Sequence, residues 1–250
     1  MDEQKTPTTE MNDDAISKKR HCFLRLNSDV EERKKAIPYF LCALVLLAGI
    51  FFTEVFNALK SYMFTWIYYG NLDVLFYAVI SSLYLMVFYI FFHKVVKKHV
   101  GYSPLFNKHE KMTVKRKILL YLLTALPVVI TAIALGFKFK LEYGLGERVT
   151  AMTLVGNAGL YLLSSIKIFG ALMMIAFLDR AYNKLFKVNG YIPFGGIIVA
   201  LTYGAIEFAI NPNIFTLLNI LYYVYFGIIY QLSEERFGVA YACSIVLMIV

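Results

Sequence analysis

Apolar residues in this chain do not alternate with polar ones as in a half-buried strand; they run in long blocks separated by short polar segments. A helix that crosses hydrocarbon needs about 20 mostly apolar residues. Six blocks of that kind lie near 37–56, 72–92, 118–137, 149–178, 191–210 and 214–232, and a shorter seventh near 237–250. The pattern predicts an all-α fold, a polytopic transmembrane helix bundle of six to seven spans. The fourth block is long enough to tilt, bend or run out into the interface. The seventh, "FGVAYACSIVLMIV", is short for a full span and is expected to end within the far leaflet.

Residues 1–36 are a different material, with eight Lys/Arg and eight Asp/Glu and little apolar periodicity. They read as a cytoplasmic, partly disordered tail, with residues 1 to about 20, which hold the turn-prone "KTPTTEMNDD", as the disordered part. "HCFLRLNSDVEERKKAIPYF" is compatible with a short interfacial helix leading into Pro38. No secretory signal precedes the first apolar block, so residues 37–56 are expected to act as an uncleaved anchor of the 37–250 bundle.

Composition agrees with this reading: 59% of residues are hydrophobic and 17% charged, and the mean hydropathy of +0.61 lies outside the range of a soluble domain. Basic residues set the orientation, because they collect on the cytoplasmic side. The tail holds eight, the 93–117 loop eight, the 179–190 loop three and the 233–236 turn one, against Lys60, Lys138, Lys140 and Arg148 on the other side. The N-terminus is therefore expected in the cytoplasm and, with seven crossings, the C-terminus outside a cell (plasma) membrane. The net charge of +8 is mostly this asymmetry and calls for no nucleic acid. A basic juxtamembrane loop would attract anionic lipid.

Several chemistries drop out. Cys22, Cys42 and Cys243 form no plausible external pair, and His21, His93, His99 and His109 all lie in the tail or the basic loop. His93 and His99 alone fall short of the three converging ligands a catalytic zinc needs. No metal site and no cofactor are expected. "GLGERV" at 144–149 lacks the Lys-Ser/Thr or the Rossmann context of a phosphate loop and reads as a turn. No span contains histidine, which excludes a Ser–His nucleophile inside the bilayer.

Ionisable groups within the spans remain, and each costs several kcal/mol unless paired or wetted. Glu54 and Asn57 share a face near the outer end of the first span, where Glu54 reads as an interfacial residue reaching headgroup water. Lys167 lies inward of the middle of the fourth and Glu207 toward the outer end of the fifth. Gly196, Ala200 and Gly204 make a small-residue stripe that lets another helix approach closely. Glu207 lies about 60° from that stripe at about 100° per residue, so it is expected to face protein. Tyr203 stacks on the same side, and Asn157, Tyr161 and Ser164 form a second polar stripe with Lys167 at its margin. The two stripes are expected to meet, with Glu207 balanced by Lys167 or hydrogen-bonded to the hydroxyl cluster. Pro127 is a candidate kink in the third span beside them.

Residues 173–250, "MMIAFLDRAYNKLFKVNGYIPFGG…" onward, resemble the core of the CAAX protease and bacteriocin-processing (Abi) family of intramembrane glutamic proteases in helix order, spacing and apolar texture. The resemblance puts a family-like core at about 149–250. The signature letters are absent: the paired glutamates fall on Met173 and Met174, the arginine on Leu178, Phe-x-x-x-His on Tyr203 to Glu207, and the last His-x-x-x-Asn on Ser244 to Met248. The "SEER" at 233–236 contains Glu-Glu but sits in a turn read as solvated. The resemblance implies a bacterial pseudo-protease with no catalytic residues. It would bind a membrane or envelope protein, or a hydrophobic peptide, as scaffold, regulator or immunity device. Its polar site would comprise Glu207, Tyr203, Lys167, Asn157, Tyr161, Ser164 and Ser244. A small transporter, or its substrate-binding subunit, is the alternative from a different class, and an active intramembrane peptidase a further one.

Overall fold

The apolar blocks of the sequence become helices because a backbone inside an apolar environment must satisfy its own hydrogen bonds, and only the helix does so within one segment. The structure, a computed structural model, describes residues 25–63, 72–106, 112–134, 151–187, 192–210, 212 and 214–249. Those residues form β1 (Arg25–Leu26), α1 (Val30–Lys34), α2 (Ile37–Met63), α3 (Leu72–His99), α4 (Val114–Ala134), α5 (Ala151–Leu185) and β2 (Phe186–Lys187). The chain continues through α6 (Phe194–Val199), a π-helical turn at Ala200–Gly204, α7 (Ala205–Ile210), α8 (Ile214–Leu232) and α9 (Phe237–Ile249). The fold is all-α apart from the two-residue antiparallel pairing of β1 with β2.

α5 is the central element, packed against α2, α3, α6, α8 and α9. Its stretch Ala171, Leu172, Met173, Met174, Ile175, Ala176, Phe177, Leu178 and Asp179 is buried without interruption. A helix apolar all round belongs inside a bundle. The outward faces of the flanking helices carry large exposed side chains, among them Leu44 at 63%, Val87 and Phe91 at 67% and Leu122 at 63%. Apolar exposure on this scale suits lipid, not water. Three helices of the described residues, Val30–Asn57, Asp73–His99 and Leu154–Leu185, are long and apolar enough to cross a membrane, which is compatible with a membrane protein. Shorter apolar helices occupy Phe194–Ile210, Thr216–Leu232 and Phe237–Leu247.

Several boundaries differ from the sequence reading. The first and second helices run past residues 56 and 92 to Met63 and His99, so Lys94 to His99 are helical. The fifth segment is divided by the π turn. Residues 25–36, read as tail, are folded onto the end of α5. Asp29 caps α1 by accepting from the Glu31 backbone N–H at 2.9 Å, Lys184 donates to Glu32 at 2.7 Å, and the Asn27 N–H reaches the Leu185 carbonyl at 2.8 Å. The "SEER" turn is not simply solvated: Arg116 of α4 donates to Glu234 at 2.5 Å, and Arg180 of α5 lies 4.0 Å from Glu235. Both glutamates have left-handed backbone, φ 57° and 60°.

α4 continues through Pro127. Proline has no N–H, so the carbonyl four residues earlier loses its partner. That carbonyl belongs to Leu123, and the Tyr225 hydroxyl of α8 donates to it. The disordered tail, Cys22, the "GLGERV" turn, Lys138, Lys140 and Arg148 lie outside the described residues.

Candidate functional site

The small-residue stripe packs on α8. A Cβ on Gly196 would stand 2.8 Å from the Tyr223 carbonyl oxygen and 2.9 Å from the Gly227 Cα. α6 and α8 thus touch backbone to backbone. A Cβ on Gly204 would likewise meet Ile220 and Tyr223 of α8, and Glu207, farther along on α7, faces Asn219 and Tyr223 across a cavity. Asp179 fixes the start of α6 by accepting from the Gly195 N–H at 2.6 Å. A π turn at Ala200–Gly204 separates α6 from α7; Tyr203, within it, is fully buried, and Glu207, just after it, lines the cavity. Such turns recur at functional sites.

The cavity has a volume of about 180 Å³ and is lined by Ser164, Lys167 and Ile168 of α5, Glu207 of α7, Asn219, Tyr222, Tyr223 and Phe226 of α8, and Leu247 of α9. It admits several waters or one compact polar group, given about 30 Å³ per water.

Charge within it is arranged differently from the sequence expectation. Lys167 pairs with Glu54 of α2, not with Glu207, and the lysine donates to Glu54 Oε1. Their side chains are only 16% and 10% exposed. Glu54 is therefore buried and paired inside the bundle, where the sequence reading has it reaching headgroup water. α2 runs nine residues beyond it to Met63, about 13 Å of helix at 1.5 Å per residue, and the carboxylate sits well inside the bundle. Tyr77 of α3 also lies within electrostatic reach of Lys167.

Glu207 is held by neutral donors. The Tyr223 hydroxyl donates to Oε2 at 2.9 Å and the Asn219 amide at 3.5 Å. Among the described residues no Lys, Arg or His lies within 4.0 Å of it. Two carboxylates thus lie near one ammonium, which bonds to Glu54 and leaves Glu207, the one that lines the cavity, without it.

Of the sequence-proposed residues, Lys167, Ser164 and Glu207 line the cavity. Tyr203 is fully buried behind it, its ring 5.4 Å from that of Tyr223. Its hydroxyl lies near Glu207 but makes no hydrogen bond of good geometry. Asn157 and Tyr161 lie farther up α5 and do not line the cavity. Ser244 is fully buried, its hydroxyl without a hydrogen-bond partner among the described residues, and Leu247 represents α9 in the wall instead. Sequence reasoning passed over Glu54 as a partner and missed the α8 face of Asn219, Tyr222, Tyr223 and Phe226. The i, i+4 spacings of Asn219 with Tyr223 and of Tyr222 with Phe226 were the available signal.

Met173 and Met174 are 1% and 2% exposed in the core and do not reach the cavity. No histidine lines it, and the described residues hold no group of three or more His, Cys, Asp or Glu suited to a metal ion. The chain matches no family model, no curated protein and no solved structure.

Proposed function

We propose that this chain is a multi-pass protein of a bacterial cell membrane, with six to seven spans and a cytoplasmic N-terminus, and that it binds a membrane or envelope protein or a hydrophobic peptide without cleaving it. In this reading it is a degenerate relative of the CAAX protease and bacteriocin-processing proteins, used as a scaffold, regulator or immunity device. The observation that carries the binding role is Glu207: a carboxylate in an apolar bundle, held by Tyr223 and Asn219, with no cation within 4.0 Å among the described residues. A group left with spare acceptor capacity at such a site suits a donor that arrives with a partner, since an unsatisfied buried polar group is costly. Against proteolysis stand the buried methionines at 173 and 174 and a cavity wall without histidine. General-base attack and oxyanion stabilisation need groups of that kind in reach of one point.

The test is purification from cells that make the protein, wild type beside Glu207→Gln. A partner protein retained in stoichiometric amount by the wild type and depleted at least tenfold in the variant is the expected result. Cleavage of a membrane peptide by the wild type, lost in the variant, would overturn the non-catalytic reading.

The π turn at Ala200–Gly204 beside the cavity favours a second reading, a small transporter or its substrate-binding subunit. Transporters bind near helix breaks. Retention of a small molecule in place of a protein would decide for it.

A further inference from the structure

A second cavity lies between other helices, α2 and α3, and has a different character. It is a groove of about 310 Å³ between the start of α2 and the end of α3, walled by residues that include Leu41, Val45, Phe88, Phe91 and Val95, with His99 at its rim. Its wall presents no polar surface. From Phe88 to His99 it follows the last twelve residues of α3, about 18 Å of helix. That is close to one leaflet's share of a hydrocarbon core about 30 Å thick.

The end of the groove near His99 is strongly basic. His99 lines the groove itself; Lys94, Lys97 and Lys98 do not, but are exposed on the same last turns of α3, within side-chain reach of that end, and Lys34 is exposed just before α2. The groove also reaches Pro38 and Leu41 at the start of α2, a 27-residue helix with no acidic residue in its first turn. One end of the feature thus attracts a negative charge while the rest accepts only hydrocarbon.

We propose that this groove holds one acyl chain of an anionic phospholipid, with the phosphate headgroup at the basic rim. The inference rests on the bundle being membrane-embedded but not on the binding role of the Glu207 cavity. Charge complementarity selects the occupant: an apolar peptide or a partner helix would fill the groove without using the cations, and a soluble phosphate would use the cations without the groove. The helical extension of α3 past residue 92 is what brings the two features together, because it fixes Lys94 to His99 on the helix that forms the groove wall.

The experiment is thermal unfolding of the full-length protein in detergent with added dioleoylphosphatidylglycerol, dioleoylphosphatidylcholine or soluble glycerol 3-phosphate. Two kinds of variant are run in parallel. Val45→Trp and Leu41→Trp each fill the groove from an already exposed position, and the double variant Lys94→Gln, Lys98→Gln removes rim charge without touching the core. For the wild type, the anionic lipid raises Tm by about 5 °C more than the zwitterionic lipid, the scale of 1 kcal/mol or more of linked binding. Glycerol 3-phosphate gives no rise. The tryptophan variants lose the lipid-dependent rise, and the double variant responds equally to both lipids. Equal response of the wild type to both lipids, a soluble phosphate that reproduces the effect, or tryptophan variants that keep the full rise would each overturn the proposal. Should one tryptophan variant fail to fold, the other and the rim variant still decide the matter.

Discussion

Lys167 of α5 and Glu54 of α2, 113 residues apart in sequence, form an ion pair inside the bundle, the lysine donating to the carboxylate. Removing one partner of a buried pair leaves an uncompensated charge and costs about 3–5 kcal/mol, whereas replacing both by apolar residues is often neutral. Lys167→Met and Glu54→Leu should therefore each lower the thermal unfolding temperature in detergent sharply. The double variant should recover most of the loss. Additive losses would mean that the two side chains are not a pair.

Tyr225 supplies the hydrogen bond that Pro127 denies to the Leu123 carbonyl. Tyr225→Phe removes the hydroxyl alone and should destabilise by about 1–2 kcal/mol. Pro127→Ala restores the missing N–H, so in that background the same change should cost less. Unfolding of the four proteins in a double-mutant cycle measures the difference. An unchanged cost would show that the hydroxyl does not serve the proline's orphaned carbonyl.

Gly227 and Gly196 let α6 and α8 meet with no side chain between them. Since a Cβ on Gly227 would lie 2.8 Å from the Gly196 Cα, Gly227→Ala must push the helices apart. It should cost about 1–3 kcal/mol, the scale of overpacking, and distort the cavity, whose wall includes the adjacent Phe226. Gly238, where an added Cβ meets nothing within 4 Å, is the control: Gly238→Ala should leave unfolding unchanged or slightly improved.

Asp179 acts as a cap for α6 from another helix, through the Gly195 N–H. Asp179→Ala leaves that donor buried and unpaired at a cost of about 1–3 kcal/mol. Asp179→Asn keeps an acceptor oxygen and should cost clearly less. Hydrogen exchange at the Gly195 amide separates the cases, with fast exchange in the alanine variant and protection in the asparagine variant.

The helical class was legible in the sequence because length and apolarity alone determine it. What periodicity could not supply was phase and depth. The reading at about 100° per residue stacked Tyr203 beside Glu207, and the hydroxyl does lie near that carboxylate, but the count could not show that Tyr203 is buried behind the cavity that Glu207 lines. Glu54 reads as interfacial when the first helix is ended near residue 56; the helix continues to Met63, and the carboxylate is buried against Lys167. The stripe of Gly196, Ala200 and Gly204 did mark a close helix contact, since small residues leave little else for that face to do. Asn219 and Tyr223 escaped notice because each is ordinary in an apolar helix and gains meaning only opposite Glu207.

The central claim is that the cavity between Glu207 and Lys167 receives a group from a membrane partner. The most direct measurement is site-specific photocrosslinking in living cells, with a photoreactive residue at Tyr222, which lines the cavity and is partly exposed. A discrete protein adduct that forms at Tyr222, weakens at least tenfold with Glu207→Gln, and is absent from a probe at Leu122 on the outer face of α4 is the predicted result. An adduct of equal yield with and without the Glu207 carboxylate, or none but lipid, would contradict it.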